Sequence, residues 1–380
     1  MITTMDIICY SHLRWDFVYQ RPQHLLSRMA DHFRVVYVEE PVFDTNNAYL
    51  ESRQNEDKVW VVVPHLPAGL SDEEILRQQN LLLKTFMENF QCLNFIAWYY
   101  TPMAIHLNPS FTPSLVVYDC LDELSAFKNA PSIMKEREKE LLKRADLVFT
   151  GGYSLYEAKK GSHANVYAFP SSIDRKHFGK ARSMNIEFSD QQDIPFPRIG
   201  FFGVIDERMD LELLQAMAER KPDWHFIIIG PVVKIDPATL PQNANIHYLG
   251  QKAYKELPYY ISKWNVAMMP FAINESTRFI SPTKTPEYLA AGKPVVSTPV
   301  YDVLRSYGNR GLVAIASTPE EFIKAIQDAI DMPDRHQWLK AVDLALAENS
   351  WDRTVEDMLF HINSALEKGK DLKEKEDLYV

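Results

Sequence analysis

Apolar residues along the chain gather in short runs bounded by turn residues, separated by longer stretches in which apolar positions recur at helical spacing. Strands buried on both faces read as continuous apolar runs, so this alternation predicts parallel sheets covered by crossover helices. A first series places strands at Ile7–Tyr10, Val35–Val38, Val59–Val63, Phe95–Ala97, Leu115–Tyr118, Leu147–Phe149 and Val166–Ala168. Helices fall between them at Pro22–Met29, with Pro22 in the permissive first turn, at Asp72–Phe90 and at Ile133–Arg144. A second series places strands at Ile199–Phe202, Phe226–Ile229, Ile246–Leu249, Val266–Met269, Pro294–Val296 and Leu312–Ala314. Its helices cover Leu211–Glu219, Thr285–Ala291, Pro319–Asp331, Arg335–Ala347 and Asp352–Lys368. Ser171 to Pro197, polar and proline-bearing with little periodicity, reads as a connection. The expectation is an α/β chain with a domain over 1–170, a connection over 171–197, a second domain over 198–350 and a terminal helical segment over 351–380.

The 380 residues suit two domains of roughly 150 residues each. With 46% hydrophobic and 24% charged residues, disordered, collagen-like and coiled-coil classes are excluded. A formal charge of -10 argues against a nucleic-acid partner. Cys9, Cys92 and Cys120 are too far apart for a metal knuckle or a disulfide framework, which points to a reducing cytoplasm. The first residues lack a secretory pattern, and every apolar run is far short of the ~20 residues of a membrane span. The expected location is therefore cytoplasmic, with any membrane association peripheral to the inner face.

Open parallel sheets bind ligands beyond the carboxyl ends of their strands, which directs attention to four loops. The richest runs from Asn274 through Thr277, Ser281, Thr283, Lys284 and Glu287 to Gly292. Ser281 and Thr283 offer hydroxyls and Lys284 a point charge for a diphosphate, while Glu287, one turn further on the same face, can accept from ribose hydroxyls. The competing reading is a capped surface helix with a weak Lys–Glu pair. In the segment Gly203 to Asp210, Arg208 either contacts phosphate in bidentate fashion or pairs with Asp206 or Asp210. At Tyr118–Phe127, Asp119 ends a strand and is either a ligand contact or a turn aspartate. In Ser11–Pro22, Arg14, Trp15 and Arg21 are of the types that binding sites favour, or else the loop packs on the adjacent helix. No Asp-x-Asp and no His/Cys cluster with zinc spacing occurs, so metal-independent chemistry is expected. The missing Gly-x-Gly-x-x-Gly and Walker sequences argue against a dinucleotide oxidoreductase or an ATPase.

Glu287, Gly292, Pro294, Val295 and Val296, together with Phe202-Gly203, Trp224 to Pro231 and Asn245 to Gly250, resemble the C-terminal domain of the GT-B nucleotide-sugar glycosyltransferases, in particular the bacterial retaining family 4 type. The segment Trp15 to His24 resembles a group of polysaccharide-assembly transferases that share a Trp-Asp-x-x-x-Gln-Arg-Pro-Gln-His run. The resemblance implies two facing Rossmann-like domains around an interdomain cleft, the donor on the C-terminal side and the acceptor on the N-terminal side. It also implies that the helix from Trp351 crosses back to the first domain and that donor binding closes the halves. The family's Gly-Arg and nearby Lys for the donor diphosphate are represented here by Gly203 and Arg208, and the resemblance further implies Arg14 or Arg21 facing the donor phosphates, Trp15 stacking on a sugar and Asp119 contacting a sugar or the acceptor. Its upstream glutamate, eight residues before Glu287, is Phe279, so sugar recognition would use Asn274, Thr277 or the Ser281-Pro282 backbone instead. The implied activity is retaining transfer from a nucleoside diphosphate sugar, UDP- or GDP-linked, to a hydroxyl of a glycan or lipid-linked acceptor, with Asp119, Arg208 and Lys284 in the chemistry and no cofactor. Alternatives are a nucleotide-sugar epimerase of the same fold and a catalytically silent nucleotide-sugar-binding subunit.

Overall fold

Strand β1 (Asp6–Ser11), buried at every position, sits inside an eight-stranded sheet with β2 (Arg34–Glu39), β3 (Tyr49–Gln54), β4 (Trp60–His65), β5 (Phe95–Tyr99), β6 (Leu115–Cys120), β7 (Leu147–Thr150) and β8 (Val166–Ala168). The strand order is β3-β4-β2-β1-β5-β6-β7-β8, and every pair is parallel except β3 with β4. Helices α1 (Arg21–Met29), α2 (Asp72–Asn89), α3 (Met134–Arg144) and α4 (Tyr153–Lys159) make the crossovers. Helix α2 starts where Ser71 and Glu74 form a reciprocal capping box, a local signal worth about 1 kcal/mol.

The computed structural model describes residues 5–128 and 130–377, the last eight by backbone alone. It divides into one unit of Met1–Pro170 with Asp352–Val380 and another of Ser171–Trp351. In the second unit, β9 (Arg198–Phe202), β10 (His225–Ile229), β11 (Ile246–Gly250), β12 (Val266–Met269), β13 (Val295–Ser297) and β14 (Ala314–Ile315) form a parallel sheet ordered β11-β10-β9-β12-β13-β14. The chain moves outward from β9 in one direction and resumes at β12 in the other. That is the order of dinucleotide-binding sheets, with a topological switch point between β9 and β12. Phe226, Ile227, Ile228 and Ile229 are each at most 1% exposed, and burial of each stabilises the sheet by about 1.5–3 kcal/mol.

Residues 171–197 differ from the expected connection. They fold into α5 (Arg175–Gly179) and α6 (Ser189–Gln192), and Ile173, Phe178 and Ala181 join the core of the second unit. Helices α7 (Leu211–Arg220), α8 (Leu257–Ser262), α9 (Lys284–Ala290), α10 (Tyr301–Ser306), α11 (Pro319–Ile330) and α12 (Arg335–Ala345) complete that unit. Helix α13 (Trp351–Asp377) belongs to the first, where Val355, Met358 and Ile362 are buried and His361 stacks on Tyr167 with ring centres 3.7 Å apart.

Candidate functional site

At the switch point of the second unit, β9 ends in Phe202 and the chain turns through Gly203 at φ +143°. Strand β10 ends likewise at Gly230, φ +144°. A Cβ on Gly230 would lie 1.8 Å from the Gly203 carbonyl oxygen, and one on Gly203 would lie 2.0 Å from Cε of Lys284. Both glycines are therefore required by close approach as well as by backbone conformation. They let two strand ends and the Lys284 stem share one small volume. Gly230→Ala is expected to destabilise the protein by about 2–4 kcal/mol, read as a lowered thermal midpoint by circular dichroism.

Helix α9 enters this volume from below the loop after β12. The Phe202 N–H donates to the Tyr288 hydroxyl at 2.8 Å and fixes the helix against the end of β9. Thr285 through Ala290 are all buried. Glu287 is carried in with them, 4% exposed, and its Oε2 has no hydrogen-bond partner among the described residues. Burial pushes its carboxyl up to about 8, against the opposing effect of the Lys284 charge. Lys284 Nζ lies 5.9 Å from the centre of the Phe201 ring. The stem of Lys284 thus lies against Gly203, with Glu287 one turn further along α9.

The remaining expected donor contacts are engaged within the unit. Arg208 makes a forked pair with Asp206, Nη2 at 2.7 Å and Nε at 2.9 Å, and Asp206 is 2% exposed. Asp210 instead caps α7 by accepting from the Leu213 N–H. Asn274 Oδ1 accepts from the Ser276 and Thr277 N–H groups. The Thr277 hydroxyl accepts from the Asn274 N–H and donates to the Ala272 carbonyl, so both side chains shape their own turn. Ser281 is tied to Ser171, which donates its hydroxyl to the Ser281 carbonyl and its N–H to the Ser281 hydroxyl. Thr283, half-buried, is the residue before α9 and caps nothing with its hydroxyl. One contributor escaped the sequence reading as a site residue. It is Gly230, signalled only by the Gly-Pro that ends β10. In the loop after β9, the two carboxylate oxygens of Glu207 are shielded with no hydrogen-bond partner among the described residues.

In the first unit, Asp119, Arg21, Arg14 and Trp15 are each engaged by partners within the unit. Asp119 is wholly buried and receives Arg21 in a fork, Nη2 to Oδ1 at 2.9 Å and Nε to each oxygen at 3.2 Å. Arg21, 5% exposed, also donates to the Phe169 carbonyl at 2.7 Å. Burial raises the Asp119 carboxyl, and the facing guanidinium opposes the rise. Neither residue presents its head group at the surface of the unit. Arg14 is held by Glu39 at 2.9 Å and by the carbonyls of Glu40 and Pro41. Trp15, 6% exposed, meets Tyr37 edge to face with centres 5.0 Å apart, while its N–H is taken by Glu39. These residues frame the loop before α1 by pairing with one another and with β2.

Among the described residues no group of three or more His, Cys, Asp or Glu side chains is placed to hold a metal ion, and no helix is long and apolar enough to cross a membrane. Residues 196–332, which contain the whole Gly203–Lys284–Glu287 arrangement, match the family model of the glycosyl transferases group 1. A protein of Bacillus subtilis (strain 168), named provisionally as the teichuronic acid biosynthesis glycosyltransferase TuaH, is 27% identical over 220 residues, 53% of this chain and 54% of that protein. The chain therefore spans about half the length of this curated relative. Among solved structures, sucrose-phosphate synthase from Thermosynechococcus elongatus superposes with a TM-score of 0.70 at 15% identity, over 95% of this chain and 98% of that one. A trehalose-6-phosphate structure from E. coli bound with UDP-2-fluoro glucose gives 0.68 at 12% identity, over 95% and 99%. At such identities the likeness is one of fold. Residues 196–332 thus resemble a glycosyl transferases group 1 domain, in a chain whose two-sheet α/β fold is that of the GT-B type.

Proposed function

We propose that this chain is a glycosyltransferase of polysaccharide assembly, moving a sugar from a nucleoside diphosphate sugar, UDP- or GDP-linked, to a hydroxyl of a glycan or lipid-linked acceptor. The observation that carries the reading is the buried Glu287 carboxyl with an unpartnered oxygen, one turn beyond Lys284 at a topological switch point. A buried polar atom without a partner is costly unless a ligand supplies one, and a ribose diol offers two donors of suitable size. Lys284, beside the glycine turn, meets the diphosphate. As the glycosidic bond to the leaving phosphate lengthens, negative charge builds on the diphosphate, and a fixed ammonium at that place favours the transition state over the ground state.

Transfer is proposed to be retaining and metal-independent. No protein nucleophile is assigned. The departing phosphate accepts the proton of the acceptor hydroxyl on the face where the new bond forms. Arg208 contributes to the field of the same pocket, but its fork with the buried Asp206 gives it a structural duty as well. Lys284→Met is therefore the cleaner probe, expected to lower turnover about 100-fold with little change in melting, whereas Arg208→Met lowers both. Product formation from donor and acceptor should persist in EDTA. Loss of activity on chelation, restored by manganese, would overturn the metal-free mechanism.

A catalytically silent nucleotide-sugar-binding subunit is the second reading, favoured by Phe279 at the position of the family's second glutamate and by the engagement of Asn274 and Thr277 in their own turn. Slow hydrolysis of the donor by wild type, abolished by Lys284→Met, decides for the enzyme.

A further inference from the structure

Helices α8 and α9 end at the amino side of the second sheet, opposite the Gly203 and Gly230 turns, and lead into β12 and β13. Three cations meet there. Lys293, just after the Gly292 turn that stops α9, is 8% exposed, and its Nζ donates to the carbonyls of Ser262 and Trp264, both at 2.8 Å. Those two residues flank Lys263, half-buried at the end of α8. Arg335, exposed at the start of α12, donates from Nη2 to the Gly292 carbonyl at 2.9 Å, one peptide away from Lys293.

No carboxylate answers this charge. Lys263, Lys293 and Arg335 form no ion pair among the described residues, in a chain with 51 acidic and 41 basic side chains. Asp334, next to Arg335, is committed to capping α12 by accepting from the Gln337 N–H. Burial first, and then the charges of Arg335 and Lys263, push the Lys293 ammonium down to about 7. Cations commonly close the C-terminal ends of helices by bonding the last carbonyls. At α9, however, Arg182 already does this, donating to the Ala290 carbonyl at 2.7 Å while Asp343 neutralises it. Three further cations without a counter-charge exceed what a cap needs. As a neutral amine Lys293 has two N–H groups, enough for its two carbonyls; once protonated it has a third with no acceptor among the described residues. An anion with several oxygens supplies that acceptor and cancels the mutual repulsion.

We infer that the amino end of the second sheet binds a tetrahedral oxyanion of the sulfate or phosphate type, with Lys263 and the remaining N–H groups of Arg335 on its oxygens and Lys293 as the charge behind them. This site lies at the other end of the sheet from Lys284 and Glu287, and it goes beyond the transferase reading without depending on it. Its anion comes either free from solution or as the headgroup of an acidic phospholipid.

Calorimetry of the full chain with sodium sulfate, at ionic strength held constant with sodium chloride, tests the first source. Sulfate does not titrate in the neutral range, so a pH dependence belongs to the protein. Binding should be about tenfold tighter at pH 6 than at pH 8, because the anion favours protonated Lys293, and Lys293→Met should flatten that profile. Lys263→Gln combined with Arg335→Gln, at half-buried and exposed positions, keeps the test readable even where the buried variant fails to fold. The pair should weaken sulfate at least about tenfold at pH 6. Flotation with phosphatidylcholine vesicles, with and without phosphatidylglycerol, tests the second source. Capture by the acidic vesicles alone, lost in the double variant, assigns the headgroup; sulfate binding without capture assigns a free anion. Binding of neither probe, binding that the double variant retains in full, sulfate affinity that is flat with pH, or sulfate binding abolished by Lys284→Met would overturn the inference. UDP and GDP on the same samples keep the two readings apart. The double variant should bind nucleotide as wild type does, and wild type that binds neither nucleotide refutes the donor site while the sulfate result stands.

Discussion

Glu287→Ala should weaken binding of the nucleoside diphosphate about 10- to 150-fold, or 1.5–3 kcal/mol, the range for hydrogen bonds to a charged group. Calorimetry reads the loss directly, and unchanged affinity in a folded variant removes Glu287 from the site. The same residue makes a second, opposite expectation for the ligand-free protein. Its carboxyl is held up to about 8 from an ordinary 4.5 by burial. Between those values the native state binds more protons than the unfolded state, so stability falls as pH rises through that window and is unaffected by this group below it. Glu287→Gln removes the titration and should raise ligand-free stability by up to about 3 kcal/mol at pH 7, with the gain fading toward pH 4.5. Melting curves of the two proteins at pH 5 and pH 8 check the sign. A variant that is more stable yet binds nucleotide poorly is the behaviour of a buried group retained for a ligand and not for the fold.

The strands of both sheets were legible because parallel strands covered on two faces leave unbroken apolar runs, as Phe226 to Ile229 does. Strand β3 was not. Tyr49–Gln54 is exposed or half-exposed along its whole length and is held by antiparallel pairing with β4, so it carries no hydrophobic period to detect. Residues 171–197 misled for a related reason. Helices of five and four residues are too short for a 3.6-residue pattern, and their anchors Ile173, Phe178 and Ala181 are scattered among charges. At the site, Lys284 and Glu287 could be read because three-residue spacing on a helix fixes a shared face. The partners of Arg208, Arg14 and Arg21 could not all be read. Asp206 lies two residues from Arg208 and was among the candidates, whereas Glu39 and Asp119 lie 25 and 98 residues from theirs. Residue type announces that an arginine will find a carboxylate or a phosphate; only the fold says which.

Asp119→Asn should cost about 3–5 kcal/mol of stability, because it leaves the Arg21 guanidinium inside the first unit without its carboxylate. The pair is 6% and 0% exposed at its side chains, so solvent cannot take over the lost interaction. Arg21→Met should cost a similar amount, since it strands the Asp119 carboxylate and also frees the Phe169 carbonyl, which accepts from Arg21 at 2.7 Å. Replacing both, Arg21→Met with Asp119→Leu, removes the two buried charges together and should recover most of the loss, because two desolvated ions are exchanged for apolar packing of similar volume. The three denaturation midpoints give the coupling directly. A residue that acted on the sugar or the acceptor would behave otherwise: Asp119→Asn would keep its midpoint, lose turnover, and gain nothing from a second change at Arg21. Strong coupling in stability, with turnover restored alongside folding in the double variant, assigns the pair to holding α1 against the carboxyl end of β6, from which the loops of the first unit take their positions.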